Sequence, residues 1–154
     1  MIKILFVCHG NICRSPMAEF VMKDLVARKG LSEKFQIASS ATSTEEIGHD
    51  IHRGTKRKLT EMGIPFEKRY ASQLKKSDYE YYDFIVVMDE NNLINICRII
   101  YNDPEHKIFK LLDFTEQGGD IADPWYTGNF DETFDDIKKG CEALFNYILK
   151  NCMN

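Results

Sequence analysis

The sequence predicts an α/β fold: one open, four-stranded, mostly parallel sheet with helices on both faces. Three observations predict it. Short apolar, β-branched runs alternate along the chain with segments of helical periodicity. No internal repeat, low-complexity stretch or linker interrupts that alternation. The 154 residues suit one domain, 1–154, long enough to bury a real core and short for two.

Each element has its own signal. "IKILFV" (2–7) is a short apolar run and reads as a central strand. From Pro16 the pattern turns helical: Met17, Val21 and Leu25 share a face with Ala18, Met22 and Val26. Ser15 is the expected N-cap, Pro16 the first helical residue and Gly30 the stop. "FQIASS" (35–40) is the second strand, and residues 54–62 form a helix ending at Gly63. "DFIVVMD" (83–89) is the third strand, with a helix over about 90–101 after it. "KIFKLLDF" (107–114) is the fourth strand, followed by the Gly- and Asp-rich loop "TEQGGDIADPWYTGNF". Phe134, Ile137, Cys141, Leu144 and Ile148 then mark one face of a long terminal helix.

Composition narrows the function classes. With 44% hydrophobic and 29% charged residues the chain is ordinary for a globular protein, and a net charge of −4 argues against nucleic acid as its partner. No apolar run approaches the ~18 residues of a membrane span. "MIKILFVC" carries one lysine and no small-residue cleavage site follows, so it reads as a strand rather than a signal peptide. A cytoplasmic protein with no membrane partner is expected. Five cysteines are an odd number without framework spacing, which disfavours a disulfide scaffold. Cys97, Cys141 and Cys152 are expected to be small apolar fillers on helices.

The chemistry concentrates in "LFVCHGNICRSP", residues 5–16. Cys8 and Cys13 could be a redox or metal pair, or the loop could be an anion cradle. In parallel sheets ligands sit beyond the carboxyl ends of the strands, and Cys8 stands at the first such end. A loop curling into a helix N-terminus turns backbone N–H groups inward, where the dipole adds positive potential. Gly10 and Asn11 tolerate the left-handed angles this requires, and Arg14 supplies a planar fork for phosphate oxygens. A thiol at the floor of this bowl is expected to act as a thiolate nucleophile, with the Ser15 hydroxyl donating to it. Three residues crowded in one loop, Cys8, His9 and Cys13, make poor tetrahedral zinc geometry, so no metal is expected. Phosphoryl transfer also needs an acid for the leaving oxygen. Asp123 in "ADPWY" is the candidate: Pro124 stiffens its loop, and Trp125 and Tyr126 exclude water and wall a slot for a flat aromatic group.

"VCHGNICRSPMAE" near the start, "VVMDENN" in the middle and "ADPWY" near the end, in that order, closely resemble the low-molecular-weight protein-tyrosine phosphatases over essentially the whole chain. The resemblance implies a flavodoxin-like four-stranded parallel sheet and no cofactor. It makes Cys8 the nucleophile of a phosphocysteine intermediate, Arg14 the phosphate and transition-state ligand, and Asp123 the general acid and then general base. His9, Gly10, Asn11, Ile12, Cys13, Arg14 and Ser15 would form the phosphate-binding loop. Asn11, Ser15, Ser39 and Asp89 would support it, and Cys13 would form a reversible protective disulfide with Cys8. Ile12, Glu45, Trp125 and Tyr126 would line the cleft. Substrates would be phosphotyrosine-bearing proteins or peptides, with inorganic phosphate as product.

Two departures and two rivals accompany this reading. The family often has histidine in "HGI", tied to the loop asparagine, where this chain has Met62. Glu45 stands on the rim where many members carry an aromatic, and an acidic rim is expected to disfavour acidic phosphopeptides. A protein-arginine phosphatase typically has threonine at Ile12, whose apolar side suits a phenyl ring better. Arsenate reductase needs two further neighbouring cysteines, and Cys97 stands alone. "HRGTKRK" (52–58) reads as a solvated helix face beside the cleft, and His49, His52 and His106 as surface residues without partners.

Overall fold

Strand β1 (Ile2–Cys8) runs through the middle of the sheet, as expected of a run apolar at every position but Lys3. The computed structural model describes residues 1–153. β1 pairs in parallel with β2 (Phe35–Ala41) on one side and β3 (Phe84–Val87) on the other. β4 (Ile108–Lys110) joins beyond β3, giving the order β2-β1-β3-β4 with every pairing parallel.

Period-two alternation divides the core. Ile4, Phe6 and Cys8 face one layer, formed by α1 (Arg14–Arg28), Leu59 of α2 (Arg53–Glu61) and the inner face of α6 (Phe130–Cys152). Leu5 and Val7 face the other, formed around Tyr79 of α3 (Asp78–Tyr81) and Ile96 of α4 (Glu90–Ile96). Both faces are therefore covered, which a parallel sheet requires. The expected terminal helix is α6, with Phe134, Ile137, Cys141, Leu144 and Ile148 all buried. Among the described residues no helix is long and apolar enough to cross a membrane.

Several boundaries differ from expectation for identifiable reasons. Ser15 is not the N-cap: α1 begins at Arg14, Cys13 occupies the cap position without a side-chain bond, and the Ser15 hydroxyl turns toward Cys8. Pro16 lies in the first turn, where its missing N–H has no partner to lose. Gly30 does close α1, at φ +69°, where its N–H donates to Ala27 O (3.0 Å) and Leu31 N–H to Val26 O (2.9 Å), a Schellman ending. The third strand stops at Val87, because Asp89 caps α4 by accepting Asn92 N–H at 2.8 Å. The helix after it ends at Ile96, and the chain continues to Ile100 in turns. The expected strand 107–114 shortens to β4, and Leu111–Phe114 forms a 3-10 turn. Continued as an edge strand, that segment would alternate its side chains across the sheet; the turn buries Leu111 and Leu112 together. Of the supposed filler cysteines only Cys141 is buried, while Cys97 and Cys152 are exposed.

Candidate active site

Residues 8–14 link β1 to α1 at the carboxyl edge of the sheet, and their carbonyls are held from outside. Cys8 O accepts Thr42 N–H (2.9 Å), His9 O accepts Ser43 N–H (3.0 Å) and Ile12 O accepts His52 N–H (2.8 Å). Cys13 O accepts Met17 N–H (3.2 Å), and the Arg69 guanidinium donates to Asn11 O. With these carbonyls turned out, amides turn in: Asn11 N–H and Ser15 N–H point at Cys8 Sγ from 3.3 and 3.4 Å. Asn11 takes the left-handed φ of 59°, as the bend required.

The Asn11 side chain ties the loop to its surroundings. Nδ2 donates to Ser15 Oγ (2.7 Å) and Ser39 Oγ (3.0 Å), while Oδ1 accepts Ser72 N–H at 3.2 Å. Ser15 Oγ lies 3.1 Å from Cys8 Sγ, whose thiol donates to it, and 3.4 Å from Ser40 O; with the sulfur deprotonated the hydroxyl proton can turn to it instead. Ser39 Oγ in turn donates to Glu19 Oε1 at 2.6 Å, and Glu19 is buried against Lys23. Met62 plays no part in this: it is the exposed C-cap of α2. The support expected at its position comes from Arg69 and Ser72.

Arg14 is 2% exposed and is aimed by acceptors. Nη1 donates to Asp89 Oδ2 (2.6 Å) and Ile121 O (2.9 Å), and Nη2 lies 3.4 Å from Asp123 Oδ2. Burial opposes charge on this guanidinium, but Cys8, Asp89 and Asp123 together outweigh it and raise its pKa. Asp123 caps the short helix α5 (Pro124–Thr127), its Oδ1 accepting Trp125 N–H at 3.0 Å. One carboxylate oxygen is thus used locally and the other faces Arg14. Burial, followed by the negative potential of Cys8, pushes the Cys13 thiol up to about 12.

Cys8, His9, Gly10, Ile12, Cys13, Arg14, Glu45, Glu46, Asp123, Trp125 and Tyr126 line one cleft. Trp125 and Tyr126 project into solvent, 55% and 82% exposed. His9 Nε2 and Glu45 Oε2 pair across the rim at 2.7 Å, and His49 pairs with Glu46. His52 is not a partnerless surface residue: its Nδ1 accepts Gly54 N–H (3.0 Å), and its ring stacks on Phe130 and meets Trp125 edge-on. Burial, then the charge of Arg53, lowers its pKa. Among the described residues no group of three or more His, Cys, Asp or Glu is placed to hold a metal ion.

Residues 3–154 match the family model described as low molecular weight phosphotyrosine protein phosphatase. The chain belongs to that family. A low molecular weight protein-tyrosine-phosphatase of Bacillus subtilis, YfkJ, is 41% identical over 152 residues, 97% of each chain. PtpA of Staphylococcus epidermidis, of the same description, is 38% identical over 98% of this chain and 96% of its own. The crystal structure of YfkJ superposes with a TM-score of 0.95, covering 99% of this chain and 97% of that one. SP-PTP of Streptococcus pyogenes, 38% identical, gives 0.83 over 98% and 93%. This low molecular weight phosphatase fold brings Cys8, Arg14, Asp123, Asn11, Ser15, Ser39 and Asp89 to one end of the sheet. Glu19, Arg69, Ser72 and the Ile121 carbonyl were missed. Glu19 alone left a signal, lying one helical turn after Ser15; the others reach the loop only through tertiary folding.

Proposed function

We propose that this chain hydrolyses phosphotyrosine in proteins or peptides, with Cys8 as nucleophile, Arg14 as phosphate ligand and Asp123 as acid and then base. The observation that carries the reading is the convergence of two backbone N–H groups and the Ser15 hydroxyl on Cys8 Sγ, beside the buried Arg14 fork. Donors so arranged favour negative charge on sulfur and on a phosphoryl group above it.

In the first step Sγ attacks phosphorus in line and forms the S–P bond as the phenolic O–P bond breaks. Arg14 follows the equatorial oxygens, and Asp123 gives its proton to the leaving phenolate. In the second step Asp123 takes a proton from water, whose oxygen displaces sulfur and yields inorganic phosphate. Trp125 and Tyr126 flank the aromatic ring, and Ile12 offers an apolar contact rather than a partner for a guanidinium. Cys13 is assigned to redox protection: a peroxide accepts two electrons from the Cys8 and Cys13 thiols, which join as a disulfide. The free cysteines among the described residues accord with a reducing cytoplasm.

Hydrolysis of aryl phosphates with leaving groups of graded acidity tests the roles. Cys8→Ser is expected to abolish turnover. Asp123→Ala should lose roughly 100- to 10,000-fold with a poor leaving group and progressively less as the leaving phenol becomes more acidic. An equal loss across the series would remove Asp123 from the acid role.

A further inference from the structure

Helix α2 carries a run of basic side chains that are not equivalent. Lys56 Nζ sits on Asp50 at 2.6 Å, and Lys58 Nζ on Asp131 at 2.8 Å with Glu61 at 3.3 Å. Arg53 and Arg57 are exposed and, among the described residues, form no ion pair or hydrogen bond. One turn apart, they share a helix face. Both border a groove between α2 and the turn that joins α5 to α6, closed on its far side by Gly128, Asn129 and Phe130. Lys58 holds both acids of that groove, Glu61 and Asp131, so its lining carries a net positive charge and, among the described residues, the two guanidinium groups are its cations without an ion-pair partner.

The groove adjoins the catalytic cleft across one pair of rings. His52 borders it and packs against Trp125, which lines the cleft. At the other rim, beside His9 and Gly10, the signs reverse with Glu45 and Glu46.

We infer that the groove beside Arg53 and Arg57 takes an acidic side chain of the phosphopeptide, on the side where the peptide leaves the cleft past Trp125. The inference rests on the cleft being a phosphotyrosine site. A planar guanidinium with no internal partner suits a carboxylate, and two at one-turn spacing can bracket one. The acidic rim expected to repel acidic peptides then acts on one flank only, and selectivity is sided rather than general.

Three phosphotyrosine peptides test it: acidic residues only before the phosphotyrosine, only after it, or neutral on both sides. For the unmodified protein, kcat/KM should favour one acidic peptide over the neutral one by roughly three- to tenfold at low salt, less at high salt. The double variant Arg53→Gln/Arg57→Gln should bring that ratio to about one; being a ratio within one sample, it is insensitive to partial loss of folded protein. Equal treatment of all three peptides, or a preference that survives in the double variant, would overturn the inference. So would competition by a short single-stranded RNA where polyglutamate has no effect. Failure to release phosphate from any peptide or aryl phosphate would instead count against the proposed function.

Discussion

The Arg69 guanidinium donates to the main-chain oxygen of Asn11, the one loop residue at a left-handed φ, although 58 positions separate them. Burial lowers the Arg69 pKa, yet Glu19, Cys8 and Asp50 all favour its charge. It acts through Asn11 as a positioning residue. Arg69→Met should lower kcat more than it raises KM for an aryl phosphate, with Arg69→Lys recovering part of the loss. A change in KM alone would show that the loop geometry does not depend on it.

Gly54 lies against Phe130 so closely that an added Cβ would sit 2.3 Å from Cζ of the ring. Gly54→Ala must displace Phe130 and with it the stacked His52. The expected cost is about 1–3 kcal/mol in unfolding free energy. Trp125, the single tryptophan, meets His52 edge-on, so its fluorescence should change as well. An unchanged spectrum and unfolding midpoint would contradict this packing.

Asp50 provides a pH signature of stability. Burial pushes its carboxyl up, but hydrogen bonds from Lys56 and from the N–H groups of Ile51 and Arg69 outweigh this and hold it at about 2. An unfolded carboxyl titrates near about 4. The folded value is the lower one, so the contribution is complete above about pH 4 and is lost as pH falls toward about 2. Asp50→Asn should therefore melt lower than the unmodified chain at pH 7, with the gap narrowing below about pH 4 and closing at about pH 2. A gap that persists in acid would point to packing instead.

The five cysteines should separate under iodoacetate at neutral pH, followed by peptide mass mapping. Cys8 lies on the cleft floor among donors that attract the anionic reagent, and inorganic phosphate should protect it. Cys13, buried and pushed up to about 12, should label slowly, as should buried Cys141, while exposed Cys97 and Cys152 react without phosphate protection. Cys13 labelling as fast as Cys8 would refute the order.

Ile12 tests substrate choice. Ile12→Thr should lower the ratio of phosphotyrosine to phosphoarginine turnover, read as kcat/KM on matched peptides. An unchanged ratio would remove Ile12 as the discriminating contact.

Much of this was legible in the sequence. The apolar alternation of β1 and the repeat of α6 report burial, a local pattern of residue type. The loop from Cys8 to Arg14 was equally legible, because a nest, its thiol and its arginine are contiguous in the chain. Boundaries were less so. Ser15 looks like a cap in isolation, and only the position of Cys8 Sγ and Asn11 Nδ2 turns its hydroxyl inward. The sequence by itself determined the order of the four strands and of the helices between and after them, apart from the short turns of helix at 78–81 and 124–127, and the two covered faces; it also singled out Cys8, Arg14 and Asp123, which the fold brings together. Tertiary structure alone decided that Arg69 and Ser72 replace the support sought at Met62, and that, among the described residues, Arg53 and Arg57 have no ion-pair partner while Lys56 and Lys58 do. Local pattern records what a side chain is and which face it occupies. Which charge meets which partner depends on contacts between distant segments, and no short window of sequence contains them.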